Sequence, residues 1–204
     1  LCTIHGRPKR SQELGSQRRG GDRVPVAVDF YGRELLGDAF ALPTAAERAL
    51  ENVFSQILRK HHGVLAASLT VVEVSINLIS SEEMAELNAA YRGVSDPTDV
   101  LSFPLWEEGQ TFVPPEGWKE LPLGDIVVCD EVVARHAGEH GVMVVEELAL
   151  VLVHGFLHLL GWDHDTPEKE GTMWREQAEH VRCLLRQWGV PAPTNEEVEV
   201  KRER

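Results

Sequence analysis

Histidines stand at positions 154, 158 and 164 in the segment His154-Gly155-Phe156-Leu157-His158-Leu159-Leu160-Gly161-Trp162-Asp163-His164. On a helix, imidazoles four residues apart project from one face, one turn above the other. Gly161 lets the chain reverse sharply, so His164 can swing back to meet them. Three imidazoles with a fourth position open is the ligand pattern of a catalytic zinc, whose bound water ionises near neutral pH. Nickel and copper suit three imidazoles as well. Without a metal, each unpaired imidazole on an apolar buried helix carries a desolvation penalty of about 1–3 kcal/mol. A shared cation removes it. The same spacing occurs in one clan of zinc peptidases, where a glutamate after the first histidine is the general base. Here that position is Gly155, which counts against peptide hydrolysis.

These histidines require a buried helix. Val142 to Leu160 is apolar nearly all round apart from Glu146, Glu147 and the histidines, which predicts a central helix capped by Gly161. Strands are expected at Val26–Phe30, Leu69–Ile79, Asp99–Phe103 and Gly124–Cys129. A helix is expected from Thr44 to His61, with Ala49, Val53, Ile57 and Leu58 on one face. Ser80 and Glu83 form a capping box for the next, in which Met84, Leu87 and Tyr91 face inward. Residues 105–122, with three prolines, read as a long loop. Asp130 caps a helix ended by Gly141. The last helix starts with Pro167 at its first position and runs to Trp188, with Met173, Trp174 and Leu184 in the core. Four strands and about five helices in mixed order predict an α+β domain, one sheet with the buried helix against its face.

Residues 1–23 are basic and without apolar periodicity, and are expected to be a disordered arm. A single domain is expected over 24–190, with a charged flexible tail at 191–204. With 43% hydrophobic and 26% charged residues, the chain has the composition of a soluble globular protein, and no apolar run is long enough to span a membrane. Cys2, Cys129 and Cys183 are odd in number and widely spaced, which indicates neither a disulfide framework nor a thiolate site. With no secretory signal visible, a reducing, cytoplasmic location is expected. The net charge of −13 argues against general nucleic-acid affinity. Residues 1–23 hold a surplus of four positive charges, leaving the rest near −17, so nucleic acid would need a local basic patch.

Three segments together resemble the YbeY-type endoribonuclease family of bacteria and organelles. The first is the histidine block, preceded by Val153, similar to that family's VHGxLHLxGxDH pattern. The second is Leu87-Asn88-Ala89-Ala90-Tyr91-Arg92-Gly93, running into Pro97-Thr98-Asp99-Val100-Leu101-Ser102-Phe103-Pro104, and the third Leu123-Gly124-Asp125-Ile126-Val127-Val128. They fall in the family's order over residues 69–188. The resemblance implies a mixed four-stranded sheet and one zinc ion per chain on His154, His158 and His164, with His154 and Arg92 as catalytic residues. It also implies cleavage of single-stranded RNA, in 3′-end maturation of small-subunit ribosomal RNA and in ribosome quality control, with the small ribosomal subunit as partner and no membrane. Members commonly carry lysine and aspartate after Arg-Gly, where this chain has Val94 and Ser95, and a tyrosine where it has Trp162.

Arg92 suits a substrate-binding role beside a hydrolytic metal, since guanidinium is a planar fork of donors that matches phosphate oxygens. Thr98 and Asp99 are expected to fix a turn, and Asp125 to serve strand-edge geometry. Asp163 either orients a ligand or stays in water. Arg59, Lys60, His61 and His62 form a basic cluster at a helix end, expected to be solvated. Three alternatives stand beside the nuclease: a zinc hydrolase of another substrate class, peptides included; a non-catalytic ribosome assembly factor with structural zinc; and a metal store or sensor.

Overall fold

The computed structural model describes residues 26–36, 40, 42–43, 45–109 and 111–191. The expected basic arm, the helix-opening Thr44 and most of the expected tail lie outside them. The elements run β1 (Val26–Tyr31), a short 3-10 turn (Arg33–Leu35), α1 (Ala46–His61), α2 (Gly63–Ser68), β2 (Val71–Leu78), α3 (Ser81–Arg92) and β3 (Val100–Pro104). They continue with β4 (Glu107–Glu108), β5 (Thr111–Phe112), β6 (Glu120–Val128), α4 (Asp130–His140), α5 (Val144–Leu159) and α6 (Pro167–Trp188). The fold is α+β, with a mixed four-stranded sheet in the order β1-β2-β6-β3. The first three of these strands are parallel, and β3 runs antiparallel to β6.

Burial follows from side-chain alternation. On β2, Val72, Val74, Ile76 and Leu78 are buried while the residues between them are half-exposed, so one face meets the core. β6 is covered on both faces. Ile126 and Val128 join the main core with α5, whereas Val127 and Cys129 join a second cluster with Met84, Leu101 and Val132. The core packs α5 against β3 and β6, and Phe156 of α5 stacks on Phe54 of α1 with ring centroids 4.0 Å apart. Full burial of such a side chain stabilises the fold by about 1.5–3 kcal/mol. α5 is therefore a rigid post, and its partly exposed face, not its core face, carries the histidines.

The structure departs from the expected elements in five places. Six α-helices form among the described residues rather than about five, because Gly63–Ser68 makes an additional short helix. The expected loop 105–122 contains the β4–β5 hairpin and the first three residues of β6. A proline inside a central strand is a strong signal against one. Pro122 is accommodated because the register of β6 on β2 slips there: Glu73 faces Pro122 but Val74 faces Gly124, leaving Leu123 as the extra residue. Tyr91, expected inward, is 67% exposed and rests edge-on against Phe103. Trp174, expected in the core, is exposed and donates to Glu170 Oε1. Asp125 lies within central β6 rather than at a sheet edge.

Candidate active site

The histidine geometry begins with how α5 ends. Gly161 N–H donates to His158 O and Trp162 N–H to Leu157 O, at 2.9 and 3.1 Å, the paired bonds of a Schellman turn. The turn needs Gly161 on two counts. Its φ is +77°, and a Cβ there would lie 2.7 Å from the Phe112 amide nitrogen on β5. The reversal carries His164 back over α5. Asp163 Oδ1 accepts the His164 N–H at 2.8 Å, which fixes the loop that presents the third ring. Asp163 thus orients a candidate ligand through the backbone.

One ring nitrogen each from His154, His158 and His164 lies within 4.8 Å of the others. The Nε2 atoms of His154 and His158 are 3.0 Å apart. On its other side, the His154 ring donates from Nδ1 to Gln177 Oε1 of α6 at 2.9 Å. That bond places the proton on Nδ1 and leaves a lone pair on Nε2, the tautomer a metal ligand needs. Burial, the largest influence, pushes both rings below the ordinary imidazole range, and His158 is brought down to about 4 by burial and its two neighbouring histidines. They are neutral donors at pH 7. Lone pairs converging at this distance, with a buried Asp163 Oδ2 that has no hydrogen-bond partner among the described residues, fit a cation. No other His, Cys, Asp or Glu among the described residues joins this group, so it offers three ligands rather than a closed four.

The three histidines line a cleft of about 380 Å³ together with Arg92, Thr98, Asp99 and Ser102. Arg92 is the last residue of α3, which Gly93 closes in the left-handed conformation at φ 72°. Buried Asn88, one turn earlier, donates from Nδ2 to Asp96 O at 2.7 Å and so ties the helix end to the loop leading to β3. Asp99 Oδ1 accepts from Val100 N–H and Thr98 Oγ1, confirming a turn-fixing role. The structure therefore brings Arg92 and all three histidines to one cavity, although 62 positions separate Arg92 from His154.

Position 155, where a peptidase would carry its base, faces the sheet. A Cβ on Gly155 would meet Ile126 Cγ2 at 2.9 Å and Ser102 Oγ at 3.0 Å, and Ser102 Oγ donates to the Gly155 carbonyl. The helix can approach β3 and β6 this closely only because the residue is glycine. In the basic cluster at the end of α1, exposed Lys60 places Nζ 2.9 Å from Glu176 and 2.8 Å from Glu179, and His61 bonds Glu176, so these two residues also link α1 to α6. Gln177 is the residue that sequence reasoning missed. A polar side chain between Met173 and Val181, at the helical spacing of a buried face, was its only signal.

The family model described as Endoribonuclease YbeY matches residues 40–184 of the chain. The chain belongs to the YbeY endoribonuclease family. Relatives agree: it is 43% identical over 119 residues to Endoribonuclease YbeY of Bacillus velezensis, covering 58% of this chain and 73% of that protein. To the protein of the same name from Moorella thermoacetica it is 50% identical over 97 residues, 46% and 61% of the two chains. The solution structure of TM1509 from Thermotoga maritima is also similar, with a TM-score of 0.51 at 29% identity, covering 79% of this chain and 91% of that one. As in YbeY-type proteins generally, the site is one that can hold a metal ion. Among the described residues no single helix is long and apolar enough to cross a membrane.

Proposed function

We propose that this chain is a zinc-dependent endoribonuclease that cleaves single-stranded RNA. It acts in 3′-end maturation of the small-subunit ribosomal RNA and in ribosome quality control, on the small ribosomal subunit in the cytoplasm. The observation that carries this reading is the meeting of three imidazoles and Arg92 in one cleft of a YbeY-family fold. His154, His158 and His164 would hold the ion. When bound, zinc supplies a Lewis-acid charge for phosphate oxygen and lowers the pKa of water.

The remaining work falls to the chain. Arg92 offers two parallel N–H donors to the scissile phosphate and offsets the charge that builds on its oxygens in the transition state. Gln177 holds the His154 ring in its ligating tautomer, and the Asp163 carboxylate holds the loop that presents His164. With Val94 and Ser95 after Arg92-Gly93, Arg92 carries the phosphate contact with little help from its neighbours.

The test is cleavage of a labelled single-stranded RNA and the matching duplex by metal-stripped and zinc-restored protein. Zinc-restored protein should cut the single strand alone. Products with 2′,3′-cyclic ends would assign the attack to the ribose 2′-hydroxyl, and 3′-hydroxyl ends with 5′-phosphates to water. Equal cleavage with and without zinc would refute the proposal.

A further inference from the structure

The four-residue histidine spacing occurs a second time. His136 and His140 lie one turn apart on α4, and each ring meets a carboxylate from another element. His136 Nδ1 is 3.4 Å from Asp99 Oδ2, in the turn before β3, and His140 Nδ1 is 3.2 Å from Glu147 Oε2 on α5. One donor atom each from Asp99, His136 and Glu147 lies within 4.8 Å of the others. Donors bonded at about 2.1 Å to one cation stand at most about 4.2 Å apart, so a contraction of a few tenths of an ångström brings these into range. Glu147 is 5% exposed. Two carboxylates this close, one of them out of water, repel unless a cation stands between them. His140 is half-exposed, which leaves a path from solvent.

We propose that Asp99, His136 and Glu147 form a second divalent-cation site, separate from the three-histidine group. One imidazole and two carboxylates suit manganese, iron, cobalt or zinc, whereas calcium and magnesium favour all-oxygen sites. Asp99 lines the cleft beside Arg92 and His154. A cation here ties α4 and α5 to the turn that forms the cleft wall. The other nearby donor group, His61, Glu176 and His180, is less suited, because Lys60 already supplies a cation to Glu176 at 2.9 Å. The second site does not depend on the assignment of the three histidines.

The probe is manganese(II), titrated into the full chain after its tightest site has been filled with zinc, with free manganese counted by electron paramagnetic resonance. One manganese per chain is expected, with a rise in Tm on the order of 5 °C at a hundredfold excess over Kd. His136→Gln and Glu147→Gln, both close in shape to the native residues, should each weaken manganese binding at least tenfold. His158→Ala, which lacks a donor of the other group and is therefore titrated without prior zinc, should still bind one manganese per chain. The site is overturned if no manganese binds beyond the zinc, if both conservative variants bind it as wild type does, or if His158→Ala alone abolishes binding.

Discussion

Gln177→Leu should loosen the metal centre without altering a ligand. The Gln177 side chain is 2% exposed and its Oε1 is the acceptor for His154 Nδ1 at 2.9 Å. Leucine fills nearly the same space but accepts nothing, so a buried ring N–H loses its partner, a cost of about 1–3 kcal/mol. The ring also loses the bond that fixes its tautomer and angle. Removal of such a partner lowers metal affinity about 10–100-fold, equivalent to about 1.4–2.7 kcal/mol. Zinc affinity measured by competition with a chromophoric chelator at pH 7.5 reads this directly. Gln177→Glu keeps the acceptor and adds charge, so it should hold zinc at least as tightly as wild type. Wild-type affinity in Gln177→Leu, or an equal loss in both variants, would show that packing rather than the hydrogen bond positions His154.

His158→Ala should lose near-stoichiometric zinc after exhaustive dialysis and melt lower than the zinc-loaded wild type, since the site ties α5 to the loop carrying His164; full metal content in elemental analysis would contradict the ligand set. Gly161→Ala places a left-handed alanine, costing about 1–2 kcal/mol, against a backbone nitrogen 2.7 Å away, with overpacking of about 1–3 kcal/mol more. Calorimetry should show Tm falling by roughly 5–15 °C, and a fall below about 2 °C would mean the turn relaxes freely. His62, His154, His158 and His180 all have pKa values lowered from 6.5, chiefly by burial, His158 to about 4. Between those values the unfolded chain binds more protons, so the stability of the metal-free protein is fully present above pH 6.5 and declines as pH falls toward 4. A urea midpoint that is flat from pH 7 to about pH 4.5 would disprove that coupling. Unstructured protein substrates should survive incubation with the zinc form, because no general base fits at position 155.

The convergence of the three histidines was legible in the sequence because its parts are local. Two histidines one helical turn apart and a glycine before the third specify their own convergence, the chain reversal at Gly161 included. Arg92 was legible only through its resemblance to a family, since nothing in a helix-terminal arginine says which cleft it will line. Gln177 and the Asp99–His136–Glu147 group are assembled from elements far apart in the chain, and no local spacing encodes that. The misplaced elements have local causes. Pro122 hid the start of β6 because a bulge absorbs it, and Tyr91 and Trp174 misled because aromatic rings at helical spacing read as core even where they lie on the surface.

The central claim, that one cleft joins a metal ion to a separate phosphate clamp, is tested most directly by Arg92→Ala at matched zinc occupancy and fixed salt. Arg92 donates no metal ligand, so the variant should fold and keep its zinc. It should lose RNA cleavage by about a hundredfold, or on the order of 3 kcal/mol of transition-state stabilisation. Arg92→Lys should recover part of the rate, because an ammonium cannot make the two-pronged contact. Wild-type cleavage by zinc-loaded Arg92→Ala would contradict the account and remove Arg92 from the site.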